Sequence, residues 1–178
     1  MDAPFYTVGH STRSLEEFVD LLRSVGVIGV ADVRRLPGSR RYPHFDEDAL
    51  ARSLPAAGID YRRLAALGGR RPRDRDVPEE VNGFWRHRSF HNYADYALSA
   101  EFRAGLADLR AWAAERTVAV MCSEAVWWRC HRRIIADHLL AAGEQVHHLM
   151  GPGSVTGARL TDGAVVDPDD GRVTYPAS

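Results

Sequence analysis

The sequence predicts an α/β protein built on a mostly parallel sheet of about five strands with helices on both faces. Three observations carry this. Short apolar runs alternate with segments of helical periodicity through most of the chain. Segments of helical spacing close at Gly26, Gly58 and Gly143, and glycine accepts the left-handed backbone that ends a helix. Residues 27–33 and 117–122 are almost continuously apolar, as strands buried on both faces are.

Taken in order, residues 5–8 read as a short strand closed by Gly9, His10 and Ser11. Ser14 and Glu17 make a capping-box pattern, and Leu15, Phe18, Val19 and Leu22 recur at helical spacing. The second strand follows Gly26 and is interrupted only by Gly29 and Asp32. A loop over 34–45 contains Pro37, Gly38 and Pro43, and Asp46 caps a second helix that ends near Gly58. Residues 59–64 form a third, shorter strand. From Gly68 to about His91 the sequence is polar and aperiodic. That is long for a connection inside a compact domain, and it is expected to be the least ordered internal stretch. Helical spacing resumes near Tyr93 and runs through Phe102, Leu106, Leu109 and Trp112 toward Glu115. A fourth strand over 117–122, a helix over 128–142 and a fifth strand over 145–150 follow. Residues 158–176 read as two extended segments around a turn at 167–171. The expectation is a single Rossmann-like domain over 1–178, with a core at about 5–150 and a C-terminal extended tail from 151. No glycine fingerprint for a dinucleotide follows the first strand. Gly151-Pro152-Gly153 precedes no helical pattern, so it is not a cofactor signal.

Composition narrows the chemistry. All 23 basic residues of the 178 are Arg, which excludes a Schiff-base lysine, a lysine general base and a P-loop lysine. Two Cys exclude a disulfide-rich scaffold and a four-cysteine zinc site. The first residues show no basic start with a long apolar stretch, and no apolar run approaches about 20 residues, so neither a secretory leader nor a membrane span is expected. A cytoplasmic protein with reduced thiols is the expectation. The formal net charge of −1 gives no general reason to bind nucleic acid. The charge is uneven, however: residues 34–88 hold 13 Arg against 8 acids, and the remainder 10 Arg against 16.

In an open parallel sheet, ligands bind beyond the carboxyl ends of the strands. Those ends carry His10 and Ser11, then Asp32, Arg34 and Arg35, then Cys122, Ser123 and Glu124, then His147 and His148. Cys122 is the sharpest candidate. It ends an apolar strand just before a helix, whose N-terminal N–H groups lower a thiol pKa and make a nucleophile. The alternative is a buried, inert small residue. A phosphatase-like cradle would need Arg six positions on, where Trp128 stands, and Arg129 is one too far.

Cys130-His131-Arg132 lies near the start of the next helix, and three readings of it compete. A metal site of both Cys with His131 and His10 matches no standard zinc spacing. A reversible disulfide with Cys122 is the second, and packing of Cys130 beside Ile134 and Ile135 the third. Arg34, Arg35, Arg40 and Arg41 put four Arg in eight residues. Their forks suit phosphate or carboxylate, and Tyr42 suits stacking on a base; a solvated surface loop is the rival reading. Trp127-Trp128 is helix cover or a stacking wall. Glu124 is a general acid/base or a partner for one of these Arg.

These residues resemble the bacterial family catalogued as domain of unknown function 488. The likeness covers nearly the whole chain. It includes Thr7-Val8-Gly9-His10-Ser11, Asp32-Val33-Arg34 with Pro37, and Ser39-Arg40-Arg41-Tyr42-Pro43-His44-Phe45. It continues through Gly58-Ile59-Asp60-Tyr61, Leu67-Gly68-Gly69 and Tyr93-Ala94-Asp95-Tyr96. Its most specific part is Met121-Cys122-Ser123-Glu124 followed by Cys130-His131-Arg132, and the tail around Arg159-Leu160-Thr161 and 171–176 is similar too. The family often has Ala where Ser123 stands and a Pro near Trp127. The resemblance implies no activity, substrate or cofactor. It implies only that the motif residues coincide with the strand-end positions.

The resulting expectation is an enzyme whose crevice holds a phosphate-bearing nucleotide or nucleic-acid segment. Ser11, Asp32, Arg34, Arg40, Arg41, Tyr42 and Arg132 would bind it. Cys122 would react, with Glu124, His10 and His131 handling protons. The rivals are a non-catalytic nucleotide or nucleic-acid binding module and a thiol or metal redox sensor. The partner is expected to be an anionic small molecule or nucleic acid, with no membrane involved.

Overall fold

Ser14 fixes the first turn of the chain. Its hydroxyl accepts the Glu17 N–H at 3.0 Å while the Glu17 carboxylate accepts the Ser14 N–H at 2.8 Å, so two of the donors a helix start leaves orphaned are satisfied reciprocally. The computed structural model describes residues 3–36, 38 and 41–177. In it, this cap joins β1 (Phe5–Gly9) to α1 (Leu15–Ser24). The chain continues through β2 (Gly29–Asp32), α2 (Glu47–Ala56) and β3 (Asp60–Arg63). It then forms α3 (Arg88–Tyr96), α4 (Ala100–Ala113) and β4 (Val118–Cys122), followed by α5 (Arg132–Ala141) and β5 (Val146–Gly151). Among the described residues six strands make one sheet in the order β3-β2-β4-β1-β5-β6, where β6 is Ser154–Gly157. The first five strands are mutually parallel and β6 pairs antiparallel with β5.

The buried strands alternate their side chains between two cores. Ala119 and Met121 of β4 pack with Val8, Val30, Phe18, Leu22, Leu50 and Leu54 under α1 and α2. Val118 and Val120 pack with Ala31, Phe102, Leu109, Ile134 and Leu139 under α4 and α5. This alternation of period two, with helices on both faces, is why the central strands read as continuous apolar runs.

The element reading is corrected in four places. The sheet has a sixth strand at the start of the extended tail, because Gly151, Pro152 and a left-handed Gly153 turn the chain into an antiparallel hairpin. The helical segment near 93–115 is two helices. The first begins at Arg88, and Ser99 caps the second by accepting the Phe102 N–H at 3.1 Å. The aperiodic stretch before it contains a 3-10 turn, Glu79–Asn82, whose buried Asn82 donates to Asp95 at 2.7 Å and accepts the Tyr175 N–H at 2.9 Å. Finally, α5 starts at Arg132, preceded by a 3-10 turn over Trp127–Arg129. The tail is extended as expected and forms a small hairpin of β7 (Val165–Val166) and β8 (Val173–Thr174). Tyr175, just beyond it, donates to Asp137 of α5 at 2.7 Å.

Candidate functional site

The crossovers from β1 to β2 and from β4 to β5 leave in opposite directions, and β1 and β4 are neighbours. Such a reversal opens a crevice at the carboxyl ends. Register places Gly9 beside Cys122 and Asp32 beside Met121, so residues distant in sequence meet at one edge. The backbone closes tightly there: a Cβ on Gly9 would lie 1.8 Å from the Glu124 carbonyl oxygen, which leaves glycine as the residue that fits. Ser11 follows with a left-handed φ of 51°, and its N–H donates to the Ser123 carbonyl at 3.1 Å. A cavity of about 740 Å³ lies over this edge, lined among others by His10, Ser11, Arg41, Tyr42, Gly69, Tyr93, Cys122, Glu124, Cys130 and His131. Arg40 lies outside the described residues.

At one wall, Asp32 is fully buried and holds Arg34 with both carboxylate oxygens, at 2.9 Å to Nε and 2.7 Å to Nη2. The Tyr61 hydroxyl donates to the same carboxylate at 2.5 Å. Arg34 Nη1 lies 3.4 Å from His10 Nε2, and His10 Nδ1 lies 2.9 Å from the Ser11 carbonyl. A guanidinium only donates, so Nε2 is the acceptor and Nδ1 carries the proton. Burial, and then the Arg34 charge, lower the His10 pKa to about 4, against an opposing hydrogen bond to Ser11. The ring also stacks on Phe45 at 4.3 Å.

At the floor, Cys130 Sγ lies 2.7 Å from Cys122 Sγ. Both thiols are free and buried, and both face the cavity. His131 donates from Nε2 to the Val33 carbonyl at 2.8 Å, leaving Nδ1 with its lone pair 3.6 Å from Cys130 Sγ. Gly69 lets this ring sit where it does, since a Cβ there would be 2.7 Å from Nδ1. Burial keeps His131 below its ordinary pKa, hence neutral. Burial also pushes the Cys130 thiol up, but the Cys122 S–H and the charge and N–H of Arg132 outweigh it and bring the thiol below its usual range. A second ionisation, at Cys122, is driven far up by burial and by Cys130 itself. The pair therefore loses its first proton more easily than an ordinary thiol and its second far less easily.

Arg132 organises the floor. It is fully buried. Its Nη1 donates to Cys122 Sγ at 2.5 Å and to the Glu124 carbonyl at 2.6 Å. Its Nη2 donates to the Ala125 carbonyl at 3.2 Å, and its Nε to Thr7 Oγ1 at 3.2 Å. Thr7 in turn lies 2.6 Å from His148 Nδ1, and Trp127 stacks on that imidazole at 4.4 Å.

The structure corrects several roles. Nine residues separate Cys122 from α5, so the thiol at the helix start is Cys130, whose sulfur accepts the Arg132 N–H at 3.4 Å. Asp32 and Arg132 do not line the cavity but lie behind the lining, and Arg34 lines it with its guanidinium bound to Asp32. His10 has both nitrogens engaged, and burial lowers its pKa to about 4. Glu124 has an exposed side chain on the rim, and among the described residues no Arg pairs with it. Ser11, Arg41 and Tyr42 do line the cavity. The sequence points to Thr7, Tyr61, Gly69 and Tyr93 only as members of the Thr7-Val8-Gly9, Gly58-Ile59-Asp60-Tyr61, Leu67-Gly68-Gly69 and Tyr93-Ala94-Asp95-Tyr96 motifs, and to His148 as a strand-end residue.

Among the described residues no group of three or more His, Cys, Asp or Glu is placed to hold a metal ion, and no helix is long and apolar enough to cross a membrane. A family model described as domain of unknown function DUF488 matches residues 14–139. No curated protein and no solved structure matches the chain.

Proposed function

The chain belongs to the DUF488 family, and from that premise we propose that its crevice binds a phosphate-bearing nucleotide and that Cys130 reacts at the floor. The observation that carries this is the contrast between rim and floor. Arg35, Arg41, Arg70 and Arg129 all line the cavity, and among the described residues none of them has a carboxylate within 4.0 Å. Four guanidinium groups without counter-charges surround a cavity of about 740 Å³, within the roughly 300–1,000 Å³ that small ligands occupy. Tyr42, Phe90 and Tyr93 add aromatic surface for a base. Phosphates on the rim would hold the rest of the ligand over Cys130, the thiol that lies 3.6 Å from His131 Nδ1.

The test is calorimetric titration with inorganic phosphate, nucleoside monophosphates and nucleoside diphosphates, combined with iodoacetamide labelling of each Cys. Nucleotide should bind more tightly than phosphate and should slow labelling of Cys130. Arg41→Ala and Arg70→Ala should each weaken binding about tenfold without changing stability, the loss of one charge-assisted contact. Nucleotide affinity that does not exceed that of phosphate, or that ignores both substitutions, overturns the proposal.

A further inference from the structure

We propose that Cys130 and Cys122 are a thiol–disulfide exchange couple, with Cys130 the attacking thiol and Cys122 the resolving one, and that Arg132 makes the couple oxidising. This shares Cys130 with the proposed function but does not depend on an anionic ligand.

A guanidinium cannot be deprotonated in a protein, and a charge taken out of water needs a counter-charge. Arg132 is fully buried, yet among the described residues no carboxylate lies within 4.0 Å of it. Its partners are one hydroxyl, two backbone carbonyls and the Cys122 sulfur. The acid that can supply a negative charge by direct contact is therefore the thiol pair. The titratable groups beside the pair include His131, neutral in its site, and the buried Tyr93 hydroxyl, held far above its usual range by desolvation, while His10, Arg34, Glu124 and Arg129 line the same cavity. The reduced protein thus holds one thiolate across Cys130 and Cys122, beside a cation with nothing else to neutralise it. Oxidation to a disulfide removes that anion and leaves Arg132 buried and unmatched. A couple whose reduced form is stabilised in this way is reduced easily.

The geometry supplies the rest. The two sulfurs are 2.7 Å apart and both face the cavity, so bond formation needs only a small approach to the roughly 2.05 Å of a disulfide. The reaction with a low-molecular-weight disulfide RSSR balances as follows. The Cys130 thiolate attacks one sulfur, the S–S bond breaks, and RS⁻ leaves with the electron pair. The product is a mixed disulfide on Cys130. Cys122 then loses its proton to the departing thiolate and attacks the Cys130 sulfur, releasing a second RS⁻. The second RS⁻ takes a proton from water, so RSSR is reduced to two thiols and the pair is oxidised to a disulfide.

The protein is equilibrated with reduced and oxidised glutathione from about pH 5 to pH 8, below the ordinary thiol pKa of about 8.5, and the oxidised fraction is read by mass after acid quench and alkylation. When the reduced pair carries one thiolate, its exchange with oxidised glutathione consumes one proton, because two GSH form and the pair supplies a single proton. The equilibrium constant toward the disulfide should therefore fall tenfold per pH unit above the pKa of the pair. Arg132→Met should favour the disulfide by tenfold or more, because an opposite charge in contact shifts an ionisation by about 1–3 units. Cys122→Ser should accumulate a mixed disulfide on Cys130. A constant that stays flat to pH 8 in the wild-type protein overturns the proposal whether or not Arg132→Met folds. Absence of both the internal and the mixed disulfide does so too. Loss of nucleotide binding alone would sink the proposed function and leave this couple standing.

Discussion

Removing the Asp32 carboxylate should cost more stability than any substitution on the rim. Asp32 is fully buried and accepts from Arg34 Nε, Nη2 and the Arg34 N–H, and from the Tyr61 hydroxyl. Asp32→Ala leaves the Arg34 guanidinium, itself 7% exposed, without its counter-charge. Breaking one side of a buried ion pair costs about 3–5 kcal/mol, because the surviving charge stays desolvated. The Tyr61 hydroxyl is orphaned as well, within that range rather than on top of it, since Arg34 and Tyr61 share one acceptor. For a chain of this size each kcal/mol moves the melting temperature by about 2–4 °C, so Asp32→Ala should lower it by about 6–20 °C. The double variant Asp32→Ala with Arg34→Met removes the stranded charge and should recover most of the loss. Urea denaturation of the wild type, both single variants and the double variant measures the coupling directly, provided the m-value is constant. A loss below about 1 kcal/mol in Asp32→Ala, or a double variant no better than the single one, would refute the view that this pair is a desolvated brace.

Acid sensitivity follows from the buried imidazoles. Burial lowers His10, His138 and His148 to about 4 each. Their folded pKa lies below the unfolded value of about 6.5, so the stability they contribute is present above pH 6.5 and is lost as pH falls toward 4. With three such groups the slope approaches about 4 kcal/mol per pH unit, partly offset by Asp95 and Asp137, whose raised carboxyl pKa values favour the fold on acidification. A urea midpoint unchanged between pH 7 and pH 5 would contradict this. Gly69→Ala should displace the His131 ring from the Val33 carbonyl and slow Cys130 alkylation at neutral pH, and an unchanged rate would show that the ring is not the base. Ser14→Ala should cost about 1 kcal/mol through the lost cap, with no effect on thiol reactivity, as thermal melts and labelling rates would show.

Much of the fold was legible because its signals are local. The capping pair Ser14 and Glu17, the apolar run of β4 and the turn around residue 171 each depend on neighbours in sequence, and each appears where its pattern stood. The parallel arrangement followed from strand–helix alternation, and with it the expectation that His10, Arg34 and Cys122 approach one edge. Tertiary contact decided what each does there. The helix field that sequence assigned to Cys122 falls on Cys130, because a 3-10 turn over Trp127–Arg129 delays α5 to Arg132. Spacing cannot show such a delay, since a three-residue 3-10 turn is shorter than the period that would tell it from the first turn of a helix. Nor can it show commitment. Arg34, Arg41 and Arg132 are alike as letters, yet one is locked to Asp32, one faces the crevice unpaired among the described residues and one lies buried against a thiol. The sequence by itself determined which chemical groups exist: arginine without lysine, and two thiols eight positions apart. The tertiary structure decided which of those groups are desolvated and against what, and in a low-dielectric interior that sets charge, protonation and reactivity.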